Sequence, residues 1–282
     1  MKPSILIFSQ AMELGGVERS LLGLLDAIDY DRYDVDLFLM RHSGDLMPYL
    51  NSKAKLLPEI PQYASLAVPM TSLVKSGQLG VLRGRLRGKL AARRFDRKHP
   101  GEKPSIAALT YSHKYTLHSM PQISDKVYDL AISFLTPHYF ARERVKAKKY
   151  AAWIHTDYTA LSFDRTAELV MWEGYDVICG VSERASESFQ NVFPELAQKQ
   201  VNAVRRLSHS QHLTVFPLRF PFLHTGNQRI HGVPRFFLSQ GLHFHAAAGG
   251  NQMVKTNALD VVGVNKIQNL AHALHIVAGQ RQ

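Results

Sequence analysis

An apolar run, Ser4-Ile5-Leu6-Ile7-Phe8-Ser9, enters a polar loop, Gln10 to Leu14, that ends in Gly15-Gly16. Val17, Leu21, Leu24, Leu25 and Ile28 then recur at helical spacing. A buried strand, a tight turn and an amphipathic helix in that order open an α/β unit. Asp29-Tyr30-Asp31 breaks the helix, and Tyr33 to Met40 reads as a second strand. Strand, helix and strand in so short a span make a crossover in a parallel sheet. Gly44 to Leu50 reads as a short helix and Ala54 to Leu57 as a short strand.

Gly15 and Gly16 admit two explanations. Without side chains, their backbone N–H groups can approach a phosphate or another anion at a helix N-terminus, where the dipole favours negative charge. Equally, two small residues let a helix pack closely on its strand. The pair alone does not choose between them.

Downstream, Tyr128 to Phe134 and Lys148 to Asp157 read as further strands, with a turn and short helix starting at Pro137-His138-Tyr139-Phe140. Thr166 to Trp172 reads as a helix and Tyr175 to Val181 as a strand. Ser182-Glu183 starts a helix running through Phe189, and Phe193-Pro194 ends it. The expected fold is an α/β, Rossmann-like parallel sheet with helices on both faces. Ligands of such sheets sit beyond the carboxyl ends of the strands, where His155 and Asp157 fall. His155 fits a substrate oxygen, a phosphate or a proton-carrying role, and fits equally a histidine bonded to nearby backbone. No Ser/His/Asp set in hydrolase order, no phosphate loop of the Walker type and no metal-ligand spacing accompanies it.

One stretch departs from this pattern. Leu79, Leu82, Leu86 and Leu90 keep helical spacing while Arg83, Arg85, Arg87, Lys89, Arg93, Arg94, Arg97 and Lys98 crowd the other positions, against Asp96 alone. Such a helix either docks on the sheet through its leucines or lies on an anionic membrane surface with its cations on phosphates. The membrane-binding candidates are Arg83, Arg85, Arg87, Lys89, Arg93 and Arg94. Nucleic-acid binding is disfavoured, because no aromatic residues interleave the basic run.

The formal net charge of +11 is uneven, and that matters for domain organisation. Residues 1–200 hold 26 Lys+Arg against 22 Asp+Glu, whereas residues 201–282 hold 8 against Asp260 alone. With a single cysteine, Cys179, in an apolar strand, an internal disulfide and a cysteine-based metal cluster are excluded, which fits a reducing cytoplasm. No apolar run is long enough to span a bilayer, and Met1-Lys2-Pro3 leads straight into a strand rather than a signal peptide.

Three segments in order resemble the N-terminal domain of GT-B glycosyltransferases. They are Gly15 to Leu21, then Trp153-Ile154-His155-Thr156-Asp157, then Val177 to Glu183 with Phe189 and Phe193-Pro194. The nearest likeness is to the large retaining, family 4-like group (glycosyl transferases group 1) of bacterial capsule, cell-wall and lipopolysaccharide synthesis. It covers the chain to about residue 198. The resemblance implies an acceptor-side Rossmann-like domain over residues 1–199 and retaining transfer of a hexose from a nucleotide diphosphate sugar to a glycan or lipid-linked acceptor. His155 would contact the transferring sugar as the catalytic candidate. Gly15 and Gly16 would flank the donor phosphates, with Arg19 and Asp157 as further substrate-binding candidates. It also implies no metal and no cofactor beyond the donor. The single cysteine points to a cytoplasmic protein, and the basic helix offers a peripheral place on the inner face of the membrane as the alternative.

The likeness stops at the tail. The family's second domain carries a pair of glutamates that grip the donor, and residues 201–282 contain no glutamate at all. They contain eight histidines (His209, His212, His224, His231, His243, His245, His272 and His275) and the aperiodic stretch Phe216-Pro217-Leu218-Arg219-Phe220-Pro221-Phe222. A shifted reading frame, a divergent small domain with a strand at Leu259 to Val264 and a helix at Ile267 to Val277, and a histidine metal site are the three explanations. The first accounts best for acid-poor, histidine-rich sequence, and it predicts a chain with little or no transferase activity. The alternative function is a non-catalytic membrane-surface or sugar-binding module.

Overall fold

The structure, a computed structural model, describes residues 2–101 and 103–202. The expected tail elements and the eight tail histidines lie outside them. The elements run β1 (Ser4–Ser9), α1 (Gly16–Ala27), β2 (Asp34–Leu39), β3 (Lys55–Leu56), α2 (Pro61–Ala64), α3 (Met70–Lys75), α4 (Leu79–Lys98), α5 (Ala107–Thr116), β4 (Val127–Ser133), α6 (His138–Arg144), β5 (Lys146–Ile154), α7 (Arg165–Glu173), β6 (Val177–Gly180), α8 (Glu183–Val192) and β7 (Gln200–Asn202). All strand pairs are parallel, and the sheet order is β3-β2-β1-β4-β5-β6-β7. The expected Rossmann-like sheet is present, and its last strand begins one residue past the expected boundary at 199.

Alternation along the strands divides the core. Ile5 and Ile7 of β1 join Leu37 and Leu39 of β2, Leu130 and Ile132 of β4, Trp153 and Cys179 under the Leu21, Leu24 and Leu25 face of α1. Leu6 and Phe8 point the other way, into a cluster with Phe38, Tyr63, Leu73, Val81, Tyr128 and Phe140. Successive strand side chains face opposite sides, so continuous apolar runs such as 5–8 are what a sheet covered on both faces requires. Around β5 and β6 an aromatic group takes over: Tyr158, Trp172, Tyr175, Phe189 and Phe193 pack with Ile154 and Ile178. Helix starts carry the caps that their sequence suggests. The Ser182 hydroxyl accepts from Ala185 N at 3.1 Å, and Asp164 accepts from Ala167 N at 3.0 Å.

Of the two readings of the basic helix, docking through its leucines is not what the structure has. α4 packs on α5 through Val81, Gly84, Gly88 and Ala92, which are buried, while Leu79, Leu86 and Leu90 are 61%, 46% and 55% exposed. Only residues this small allow the approach. A Cβ on Gly88 would stand 2.7 Å from Ser112 Cα and N, and one on Gly84 would stand 2.7 Å from the Tyr115 carbonyl oxygen. Leu82 alone of the four leucines is half-buried, against the cluster holding Leu6 and Phe8. Arg85 is also on the inner side. Its guanidinium donates to the Val68 carbonyl at 2.6 Å and the Ser65 carbonyl at 3.3 Å, so it ties α4 to the turn before α3 and is no part of an outward basic face.

Candidate ligand cleft at the carboxyl ends of the strands

From β1 the chain moves to β2 and β3 on one side, and β4 then returns to the other side of β1. The loops leaving β1 and β4 therefore diverge, and the crevice between such loops is where open α/β sheets hold ligands. Its two walls are tied together. Gln10 Nε2 donates to the Thr136 carbonyl at 2.7 Å, and Phe134 N donates to the Phe8 carbonyl at 2.9 Å.

The β1 wall is the glycine loop. Met12 N donates to the Ser43 carbonyl at 2.9 Å and the Met12 carbonyl accepts from Leu46 N at 2.8 Å, so the loop is held as an added rung against residues 43–46. Gly44 allows this contact: its φ is +113°, and a Cβ there would collide with the Met12 backbone. Gly15 is the N-cap of α1 in extended conformation and Gly16 its first residue. The two glycines differ. A Cβ on Gly15 would meet the Glu18 carboxylate, which folds back over the cap, whereas nothing lies within 4 Å of a Cβ position on Gly16. Close packing on the strand thus does not explain Gly16, which faces open space at the positive end of α1. The helix's own Glu18 takes part of the anion-favouring position. Arg19 is exposed, and its backbone N donates to the Gly15 carbonyl at 3.2 Å.

On the opposite wall, His155 follows β5 directly. Its Nε2 lies 2.9 Å from the Phe134 carbonyl oxygen, and its ring packs on the Phe134 ring at 5.1 Å. A carbonyl oxygen only accepts, so Nε2 carries the hydrogen, and the ring is fixed by backbone at the mouth of the crevice. Beneath it sit two groups that sequence reasoning did not single out. Ser133 Oγ and His138 Nδ1 share a hydrogen bond of 2.8 Å, and the His138 ring lies 4.7 Å from Trp172. Burial, with His155 and His113 nearby, lowers the His138 pKa to about 3, so this ring is a neutral floor rather than a proton carrier. A histidine at the start of a short helix carries no signal of that burial in the sequence.

Asp157 is committed locally. Its Oδ1 accepts from Ser188 Oγ at 2.6 Å, Thr159 Oγ1 at 2.6 Å and Thr159 N at 3.0 Å, and its Oδ2 lies 3.4 Å from Arg184. Those donors, Ser188 first, hold its pKa down at about 2. The carboxylate pins the turn after His155 to α8, which positions the His155 loop. Of the expected residues, Gly15, Gly16 and His155 thus come to the same end of the sheet, Arg19 stands one turn into α1, and Asp157 supports from behind. Arg83, Arg87, Lys89, Arg93 and Arg94 are exposed along α4.

A hollow of roughly 310 Å³ lies at the other, amino-terminal edge of the sheet, between Tyr30, Tyr33, Asp34, Lys53, Lys55 and Lys126. Its charges are partly spent on one another, Lys126 on Asp36 at 3.3 Å. Among the described residues, no three His, Cys, Asp or Glu side chains converge as metal ligands, and no helix is long and apolar enough to cross a membrane. Compared with known proteins, the chain matches no family model and no curated sequence.

Proposed function

We propose that residues 2–202 are the acceptor-side half of a sugar-transfer cleft, descended from retaining enzymes that move a hexose from a nucleotide diphosphate sugar to a glycan or lipid-linked acceptor. The observation that carries this reading is their placement at one end of the sheet: an uncrowded glycine at the start of α1, after β1, and a histidine after β5 whose ring is fixed by the Phe134 carbonyl. The α1 N-terminus suits the donor diphosphate, and backbone N–H groups stabilise such a leaving group by electrostatics. His155, held in place by the Phe134 carbonyl, suits contact with the transferring sugar. The glutamates that such enzymes use to grip the donor have no counterpart in residues 201–282. The chain therefore binds the diphosphate part weakly and turns little or nothing over.

Titration of the full chain with UDP, GDP and inorganic pyrophosphate, read as a rise in Tm, tests this directly. A rise that disappears in Gly16→Ala is expected, because a Cβ there meets no protein atom and so reports on the ligand's space rather than on folding. No rise at millimolar nucleotide defeats the binding part. Release of UDP or GDP from the sugar donors by the purified chain, lost in His155→Ala, overturns the half-site part.

A further inference from the structure

α4 keeps Val81, Gly84, Gly88 and Ala92 for the protein, with Phe95 against Tyr111 of α5, and turns three of its four leucines outward. At about 3.6 residues per turn, Leu79, Leu86 and Leu90 form one row opposite the row of Val81, Gly88 and Ala92 that meets α5. Exposed Arg83, Arg87 and Arg94 flank the leucines on one side, Lys89 and Arg93 on the other, and Arg97 continues the row. No ion pair among the described residues involves a cation of α4. The helix's one acid, Asp96, accepts from the Ser105 hydroxyl at 2.6 Å. An outward face of this kind, about 30 Å long, offers apolar side chains and unpaired cations together.

We propose that this face seats α4 in the plane of an anionic phospholipid bilayer, with Leu79, Leu86 and Leu90 in the headgroup–acyl boundary and the flanking cations on lipid phosphates. A nucleic acid would use the cations and leave the leucines in water; a second copy of this face would set like charges against each other. A bilayer with anionic headgroups satisfies both sets at once. Arg85, spent on two backbone carbonyls, takes no part. The proposal goes beyond the sugar-transfer reading and does not rest on it: its readout is lipid, not nucleotide.

The test is co-sedimentation of the full chain with vesicles of phosphatidylcholine alone and of phosphatidylcholine with about one quarter phosphatidylglycerol. Binding is expected only to the anionic vesicles and should weaken as salt is raised. The triple variant Leu79→Ser, Leu86→Ser, Leu90→Ser should partition about ten-fold less with Tm unchanged, since these side chains are exposed. Arg83→Gln with Arg87→Gln and Arg94→Gln should remove the preference for anionic lipid. Absence of binding to anionic vesicles overturns the proposal. So does binding that both variants leave intact, which assigns it to the basic residues beyond 201. A dimer seen without lipid and lost in the leucine variant, or arginine-dependent binding of a DNA duplex without vesicle binding, overturns it in favour of those partners.

Discussion

Gly88 of α4 lies against the backbone of Ser112 in α5 so closely that a single added methyl would stand 2.7 Å from Ser112 N and Cα. Alanine ordinarily favours a helix interior over glycine by about 1 kcal/mol. Here the sign reverses, because backbone on the far side cannot give way as a side-chain tip would. Gly88→Ala and Gly84→Ala should each lower unfolding free energy by about 1–3 kcal/mol in urea titrations, while Arg87→Ala on the outer face stays within about 0.5 kcal/mol of the parent. Stabilisation by either glycine substitution would refute the close α4–α5 contact.

Glu18 folds over Gly15 and so competes with any anion for the N-terminus of α1. Glu18→Gln keeps the shape and removes the negative charge. Pyrophosphate and UDP should bind several-fold more tightly to this variant, at a stability cost of about 0.3–1 kcal/mol for the lost charge–dipole interaction. Isothermal titration at low salt reads the first and thermal unfolding the second. Unchanged or weaker binding would move the anion away from this helix end.

His113 and His138 are buried, and burial lowers the pKa of each to about 3. In the unfolded chain a histidine takes up its proton near pH 6.5, so between pH 6.5 and 3 the unfolded state holds protons that the folded state does not. Their stabilising contribution is complete above pH 6.5 and is lost as the solution is acidified, at roughly 1–2 kcal/mol per pH unit for each ring. Unfolding free energy followed from pH 7.5 to 4.5 should fall with that slope. The His113→Gln, His138→Gln double variant should flatten it, and a profile as steep as the parent's would assign the loss to other groups.

Glu168 titrates with the opposite sense. It is buried on α7 between Thr110 Oγ1, donating at 2.7 Å, and Tyr158 OH, donating at 3.1 Å. Burial, aided by Asp164, raises its pKa against the pull of those donors. The folded chain thus retains a proton that the unfolded chain releases above pH ~4.3, and the contribution is lost as pH rises through the folded value. Glu168→Gln should abolish that loss and match or exceed the parent's stability at pH 8. Glu168→Ala strands two buried hydroxyls and should cost about 2–4 kcal/mol at any pH. Circular-dichroism melts at pH 4 and pH 8 separate the two outcomes.

Much of the sheet was legible because its evidence is local. Runs such as Ile5 to Phe8 and Leu130 to Ile132 are apolar on both faces, and Ser182 announces the start of α8 by its capping chemistry. α5 was not legible. Its inward positions are Ala107, Thr110, His113 and Thr116, three of them polar, so apolar periodicity passes over a helix that packs against α4 and α6. The same blindness left α4 open between docking by its leucines and lying on a membrane surface. A leucine stripe is the strongest signal in residues 79–98, yet burial followed a row of small residues, because α5 demanded close approach rather than apolar volume.

Sequence by itself determined the α/β architecture, the glycine turn after β1 and the histidine after β5, since strand period, turn chemistry and helix caps are written within a few residues of where they act. Tertiary structure alone decided what those residues do. It held the His155 ring by a carbonyl 21 residues away, laid Glu18 across Gly15, spent Asp157 on α8 and turned the α4 leucines outward. Each of those outcomes depends on which groups the fold brings within hydrogen-bond or van der Waals distance, and a linear pattern does not contain that distance.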